Sequence, residues 1–307
     1  MATLVPAGRP MSTGRFTTSD GTSLVVEYGG PADAEVTVVL VHGWTQDRRT
    51  WDRVDALLPP QVRRVRYDLR GHGESAPPAP GTATIDRLAD DLADVVEAFA
   101  PTGRLVLAGH SMGGMTIMAL ADRHPKLVRD RVDGVTFVST ACAGMGRVTL
   151  GLPGVAGAAA HRIERRLAAA LVRYRRDRLP LGRTAARLGA RLLVFGRRPR
   201  RADVESVADQ LLRAHPASVG AFQNEISLHD RTTALAVLRR TPGVVMAGTA
   251  DRLCSTRHAR AIADELEASR LVLCPGAGHM LPQERAREVA QEISALCRVP
   301  SVPISAG

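Results

Sequence analysis

Aromatic side chains are scarce in this chain. Its 307 residues hold two Trp, three Tyr and five Phe, 3% of the total, and they are scattered. A sequence-tolerant grip on single-stranded nucleic acid needs a platform of rings for bases to stack on, so that function class is disfavoured. Lysine is nearly missing: Lys126 is the only one, and arginine supplies every other cation. No C-x-x-C pair occurs among Cys142, Cys254, Cys274 and Cys297, which lie 112, 20 and 23 residues apart. The usual zinc and redox-dithiol spacings are therefore absent, no metal is expected, and the four read as free thiols in a reducing compartment. The first fifteen residues carry Pro6, Gly8 and Pro10 but no apolar core of a secretory signal. The uncharged stretch 148–160 is too short and too rich in glycine to span a bilayer. These absences predict a soluble, cytoplasmic protein.

What is present is ordinary globular material, 45% hydrophobic and 23% charged. The length suits one large domain or two small ones, and it buries enough core to fold without disulfides. The net charge of +10 is not spread evenly. Residues 147–201 hold fifteen arginines against two acids, Glu164 and Asp177, while the rest of the chain carries 26 basic and 29 acidic residues. One segment holds the whole excess.

Hydropathy patterning places strands and helices in alternation. Residues 14–18 and 24–28 alternate loosely around Ser19-Asp20-Gly21, the signal of a hairpin. The apolar run at 36–41 reads as a strand buried on both faces and 105–108 as another buried strand, and 62–67, 135–138, 243–247 and 271–273 read as further strands. Helices are expected at 51–58, 85–99, 115–123, 256–268 and 284–296. Such alternation implies a mostly parallel sheet with helices on both faces. Residues 141–216 break the pattern and read as a helical insertion. No internal repeat is present.

Gly109-His110-Ser111-Met112-Gly113 stands between a predicted strand and a predicted helix. A turn with almost no loop forces the central serine into a strained conformation that only small neighbours allow. The helix that follows points its free N–H groups at the serine. Ser111 is thus the candidate nucleophile, the bland alternative being a serine that merely caps a helix. A serine hydroxyl needs a base. Of nine histidines, His279 in Pro275-Gly276-Ala277-Gly278-His279 follows the last strand, where sites of parallel sheets form. His42 and His72 precede the serine in glycine-flanked turns, His110 adjoins it with its side chain expected to point elsewhere, and the others fall on helices or their ends. The acid that orients the base is assigned to Asp251, just past the strand at 243–247; Asp230 and Asp264 lie in or beside helical segments. For the oxyanion, the N–H of Met112 and that of Trp44, next to Gly43, are the candidate donors.

The ordered set His42-Gly43-Trp44, Asp68-Leu69-Arg70-Gly71-His72-Gly73-Glu74-Ser75, Gly109 to Gly114, Gly248-Thr249-Ala250-Asp251 and Gly276-Ala277-Gly278-His279 resembles the α/β-hydrolase family of serine hydrolases. The resemblance covers about 15–141 and 220–298 and is greatest to capped esterases and lipases. It implies an α/β-hydrolase fold, with an eight-stranded, mostly parallel sheet and a helical cap. It further implies Ser111, Asp251 and His279 as triad, the Trp44 and Met112 amides as oxyanion hole, and a structural turn at 68–75. Epoxide hydrolases and dehalogenases of this fold are similar too, but they use a carboxylate where this chain has Ser111.

The expected layout is core at 1–141, arginine-rich cap at 142–217 and core again at 218–307. The expected activity is hydrolysis of a carboxylic ester with an apolar part through an acyl-serine, without cofactor. Alternatives are an acyl-thioesterase or acyltransferase on carrier-bound acyl groups, a cofactor-free perhydrolase, or a ligand-binding protein on the same fold. In the cap, Ile163, Leu167, Leu171 and Tyr174 follow helical spacing with arginines mostly on the other faces. Such a helix can lie on an anionic lipid surface, accept an acidic carrier protein, or simply be a solvated cap helix. Nucleic acid is a weaker partner, motivated by charge alone. The apolar stretch 150–160 either lines an acyl channel or packs on the core.

Overall fold

The computed structural model describes residues 11–147, 154–174 and 176–298. The sheet has eight strands: β1 (Ser12–Thr17), β2 (Ser23–Gly29), β3 (Val36–Val41), β4 (Arg63–Tyr67), β5 (Arg104–His110), β6 (Val132–Val138), β7 (Gly243–Gly248) and β8 (Ser269–Cys274). Their order is β1-β2-β4-β3-β5-β6-β7-β8. The opening hairpin is antiparallel and β2 joins β4 antiparallel, while every pairing from β4 to β8 is parallel. The carboxyl ends of β3, β5, β6, β7 and β8 therefore emerge along one edge, where an open sheet of this kind holds its ligands.

The central strands are apolar on both faces because both are covered. In β3, Val39 and Val41 enter one core with Leu107 of β5, whereas Val38 and Leu40 enter the other with Val106. The first core is closed by α2 (Ile85–Phe99) and α3 (Met112–Arg123), and the second by α1 (Asp52–Asp55) and the C-terminal helix. Thr84 caps α2 by accepting the Arg87 N–H.

The expected helix at 51–58 shrinks to α1 behind a 3₁₀ turn at Arg48–Trp51, since Pro59 and Pro60 cut it short. Helix α3 starts at Met112, three residues earlier than its apolar pattern indicates, because no loop separates it from β5. An additional helix, α4 (Pro125–Arg131), begins with proline at its first turn.

Between β6 and β7 come α5 (Gly154–Val172), α6 (Arg183–Leu193), α7 (Arg201–Arg213) and α8 (Pro216–Leu228). No strand occurs there among the described residues. Residues 148–153, and with them the first four residues of the apolar stretch 150–160, lie outside the described residues. The helical layer runs past residue 217, since α8 packs along α5. A Cβ on Gly220 would collide with the Ala168 carbonyl, so the two backbones meet closely there. The chain then returns through α9 (Thr256–Glu265), α10 (Leu281–Glu284) and α11 (Ala286–Cys297). Among the described residues no helix is long and apolar enough to cross a membrane.

Candidate active site

Ser111 sits between the last residue of β5 and the first of α3 at φ 52° and ψ −120°. A side chain other than glycine rarely holds a positive φ, which costs on the order of 1–3 kcal/mol. The strain is held by its surroundings. The Ser111 N–H donates to Val138 O (2.9 Å), and the Ser111 carbonyl accepts from the Thr140 hydroxyl (2.7 Å). A Cβ on Gly113 would collide with the Val41 carbonyl, so glycine is required for α3 to start this close to β3. Met112 is the first residue of α3, and its N–H is among the donors that a helix leaves without an internal acceptor.

The loop after β3 lies against the serine. A Cβ on Gly43 would stand 3.0 Å from Ser111 Cβ and 2.9 Å from His110 Nδ1. This close approach brings the Gly43–Trp44 backbone beside the reacting side chain, and the Trp44 indole N–H anchors the loop on Val219 O of α8 (3.0 Å).

His279 and Asp251 meet, although 28 residues separate them. His279 Nδ1 lies 2.8 Å from Asp251 Oδ2, and both residues are buried. A carboxylate can only accept, so Nδ1 carries the proton and Nε2 is left with its lone pair. The other carboxylate oxygen accepts the N–H groups of Leu253 (2.8 Å) and Cys254 (2.9 Å), which fixes its direction. Ser111, His279 and Trp44 all line one cavity of about 110 Å³.

The competing histidines are occupied. His42 Nε2 accepts the Leu69 N–H (2.9 Å) while Nδ1 donates to Gly43 O (2.8 Å), and burial holds the ring neutral, its pKa pushed down to about 4. His72 donates to Arg70 O (3.1 Å) and burial pushes it to about 3. His110 does not turn away from the site. It lines the cavity and donates from Nε2 to His279 O (3.0 Å), propping the His279 backbone; burial holds it well below the ordinary histidine range. Asp230 is exposed and caps its own turn on Thr232, and Asp264 lies on α9.

The turn at 68–75 is a scaffold. Asp68 accepts the N–H groups of Arg48 and Glu74 (2.8 Å each) and the Arg48 guanidinium (2.5 Å). Arg70, fully buried, forks onto both oxygens of Asp91 (2.7 and 2.6 Å) and onto Asp20, whose carboxyl it holds well below the usual range.

A hydroxyl on a strained turn, an imidazole oriented by a carboxylate and two nearby amides are the groups that acyl transfer requires. The family model for the alpha/beta hydrolase family matches residues 38–292. The chain belongs to that family. Among solved structures, this alpha/beta hydrolase is similar to a thermophilic esterase from Thermogutta terrifontis, 27% identical with a TM-score of 0.74 over 94% of this chain and 98% of that one. An esterase from Exiguobacterium antarcticum shares the fold (18% identity, TM-score 0.75, 94% and 100% covered). Among curated proteins, a dihydrolipoyllysine-residue acetyltransferase component of the acetoin cleaving system of Pseudomonas putida is 31% identical over 274 residues, 89% of this chain and 65% of that protein. A non-heme chloroperoxidase of Streptomyces lividans is 38% identical over 102 residues, 33% of this chain and 36% of that protein. The chain spans only 22 to 45% of the length of the first curated relatives that it matches.

The structure adds residues that sequence reasoning missed. Glu164 of α5 and Gln223 of α8 join the cavity wall and bond to one another (2.6 Å). Glu284 of α10 accepts from Gly278 N–H with one oxygen and from Gly196 N–H with the other (2.9 Å each). Val194 O accepts the His279 N–H (2.7 Å). A Cβ on Gly278 would collide with the Gly196 amide nitrogen. The histidine loop of this alpha/beta hydrolase is therefore clasped to the segment after α6. No local spacing signals this, because Glu284 and Gly196 are 88 residues apart.

Glu284→Ala leaves two part-buried N–H groups without their acceptor, at a cost of roughly 1–3 kcal/mol. The expected result is a lower melting temperature and faster hydrogen exchange at the Gly196 and Gly278 amides. A variant with unchanged melting and exchange would show that the clasp carries no stability.

Proposed function

We propose that this alpha/beta hydrolase is a serine esterase, carried chiefly by one observation: the strained Ser111 and an Asp251-oriented His279 line a single cavity. In this reading Ser111 Oγ attacks the ester carbonyl as His279 Nε2 takes its proton. The Met112 and Trp44 amides hold the oxyanion. Collapse expels the alcohol, which takes the proton back from His279. Water, deprotonated by the same nitrogen, then attacks the acyl-serine and releases the acid. Ester and water go in, acid and alcohol come out, so the balance needs no cofactor.

Helices α5 to α8 act in this reading as the cap over residues 142–217 and onward to Leu228, because Glu164, Gln223 and Ile226 close the cavity above the serine. The remaining lining is largely apolar, with Met115, Met145 and Leu253, and it suits an apolar acyl group. Four free cysteines, three of them buried, support a cytoplasmic setting.

A chain-length series of p-nitrophenyl esters tests the proposal. A cavity of ~150 Å³ takes a benzene-sized guest, so one of about 110 Å³ favours acyl groups of roughly two to four carbons. Turnover that peaks there is the expected result. No hydrolysis of any ester by folded protein would overturn the esterase reading.

A second reading has its own support. A cleft of about 540 Å³ along the Asp251 loop is lined by Arg191, Arg197, Arg252 and Arg257, and it shares Leu253 with the serine cavity. Such a cleft suits the phosphates of a carrier-bound thioester. Faster turnover of coenzyme A thioesters than of matched oxyesters, suppressed by salt, would favour it.

A further inference from the structure

Ten large apolar side chains are exposed among the described residues, and nine of them lie between Val155 and Leu228. Val155 is 88% exposed, Leu228 80%, Leu167 60% and Ile163 57%. Scattered single apolar residues on a surface need no explanation, but such a concentration on one element set marks an interaction surface. Helix α5 also buries only part of its apolar stripe: Leu171 is half-buried, whereas Ile163 and Leu167 are exposed. Ile163 and Leu167 should pack inward. Instead the close backbone contact at Gly220 draws Ala168 and Leu171 of α5 against α8 and leaves Ile163 and Leu167 in solvent.

The segment that contains α5 and α6 also carries the charge excess, fifteen arginines against two acids over residues 147–201. Exposed Arg162, Arg165 and Arg166 of α5 line a groove of about 900 Å³ that ends at Leu228. Three arginines and the exposed Leu228 thus share one groove.

We propose that α5 and α8 form a docking face for an anionic lipid bilayer. A solvated helix has no use for leucines at these exposures. A folded protein partner requires a complementary, well-packed patch, whereas a bilayer takes dispersed apolar side chains without shape matching. Arginines beside them bind lipid phosphates, each strengthening association at an anionic surface. The guanidinium is suited to this because it pairs with phosphate through two donors at once. Docking is independent of the esterase reading, since it involves neither Ser111 nor turnover.

Sedimentation of the full chain with lipid vesicles tests this. The probes are phosphatidylcholine alone and phosphatidylcholine with about a third phosphatidylglycerol. The protein is expected to sediment with the anionic vesicles and stay behind with the neutral ones. Leu167→Glu and Leu228→Glu each lower the partition about tenfold. Both positions lie outside the cavity, so hydrolysis of a soluble ester without vesicles stays unchanged, and circular dichroism confirms the fold. Three results would overturn the proposal: no sedimentation with either vesicle; binding that both glutamate variants retain and salt alone removes, which is polyanion binding; or an apolar face closed by a second copy, seen as a dimer by light scattering that both variants dissociate.

Discussion

Ser111→Ala is expected to lower ester turnover by roughly 10⁴- to 10⁶-fold while leaving the fold intact, if the proposed triad is the working one. The size follows from chemistry: without Oγ no acyl-enzyme forms, and only the amides and the cavity remain to assist water. The fold survives because the serine side chain makes no capping bond to α3. Its strained backbone is held instead by main-chain and Thr140 contacts that alanine keeps. Alanine at φ 52° is no worse placed than serine, so the melting temperature stays close to that of the parent. Rates on a short p-nitrophenyl ester, with a fluorophosphonate label to report the nucleophile, decide the matter. Full activity in the variant would remove Ser111 from the mechanism.

Asp251→Asn carries the second largest expected effect, a loss of about 10⁴-fold in kcat. Asparagine is nearly the same shape, and its Oδ1 still accepts the Leu253 and Cys254 N–H groups that hold the side chain. Its NH₂ then faces His279 Nδ1, where a carboxylate oxygen stood at 2.8 Å. Two donors cannot share that gap, so the imidazole moves its proton to Nε2 and can no longer take one from Ser111. The variant should therefore melt like the parent and bind substrate while failing in the chemical step. A kcat within tenfold of the parent would move the acid role to another carboxylate. The two variants also separate outcomes: loss in both supports the triad, whereas loss in Ser111→Ala alone leaves His279 without an orienting acid.

Much of the catalytic edge was legible before any coordinates, for a local reason. Strand β3 is read from five apolar residues in a run of six, and the elbow from a serine between two glycines at the end of β5. Asp251 and His279 were assigned by where strands end, and the structure brings their side chains to hydrogen-bonding distance. His110 was misjudged because adjacency in sequence says little about where a ring goes when the backbone turns at positive φ. It bonds to the carbonyl of His279, 169 residues away.

The helical insertion is where local reasoning failed. The apolar spacing of Ile163 and Leu167 is genuine, and a lone amphipathic helix would bury that face. Which face is buried depends on the neighbour, and α8 offers Gly220, whose backbone meets α5 at Ala168 and Leu171 and leaves Ile163 and Leu167 outside. The clasp of Glu284 on Gly196 and Gly278 is equally invisible locally, as is the closure of the cavity by Glu164 and Gln223.

Strand and helix order, the strained serine and the placing of Asp251 and His279 follow from short-range rules: side-chain periodicity, backbone sterics and the place where a parallel strand must end. The size of the cavity, the direction α5 faces and the tie between insertion and histidine loop came from tertiary packing. They depend on contacts between residues tens of positions apart, and nothing in the neighbouring sequence encodes which partner arrives.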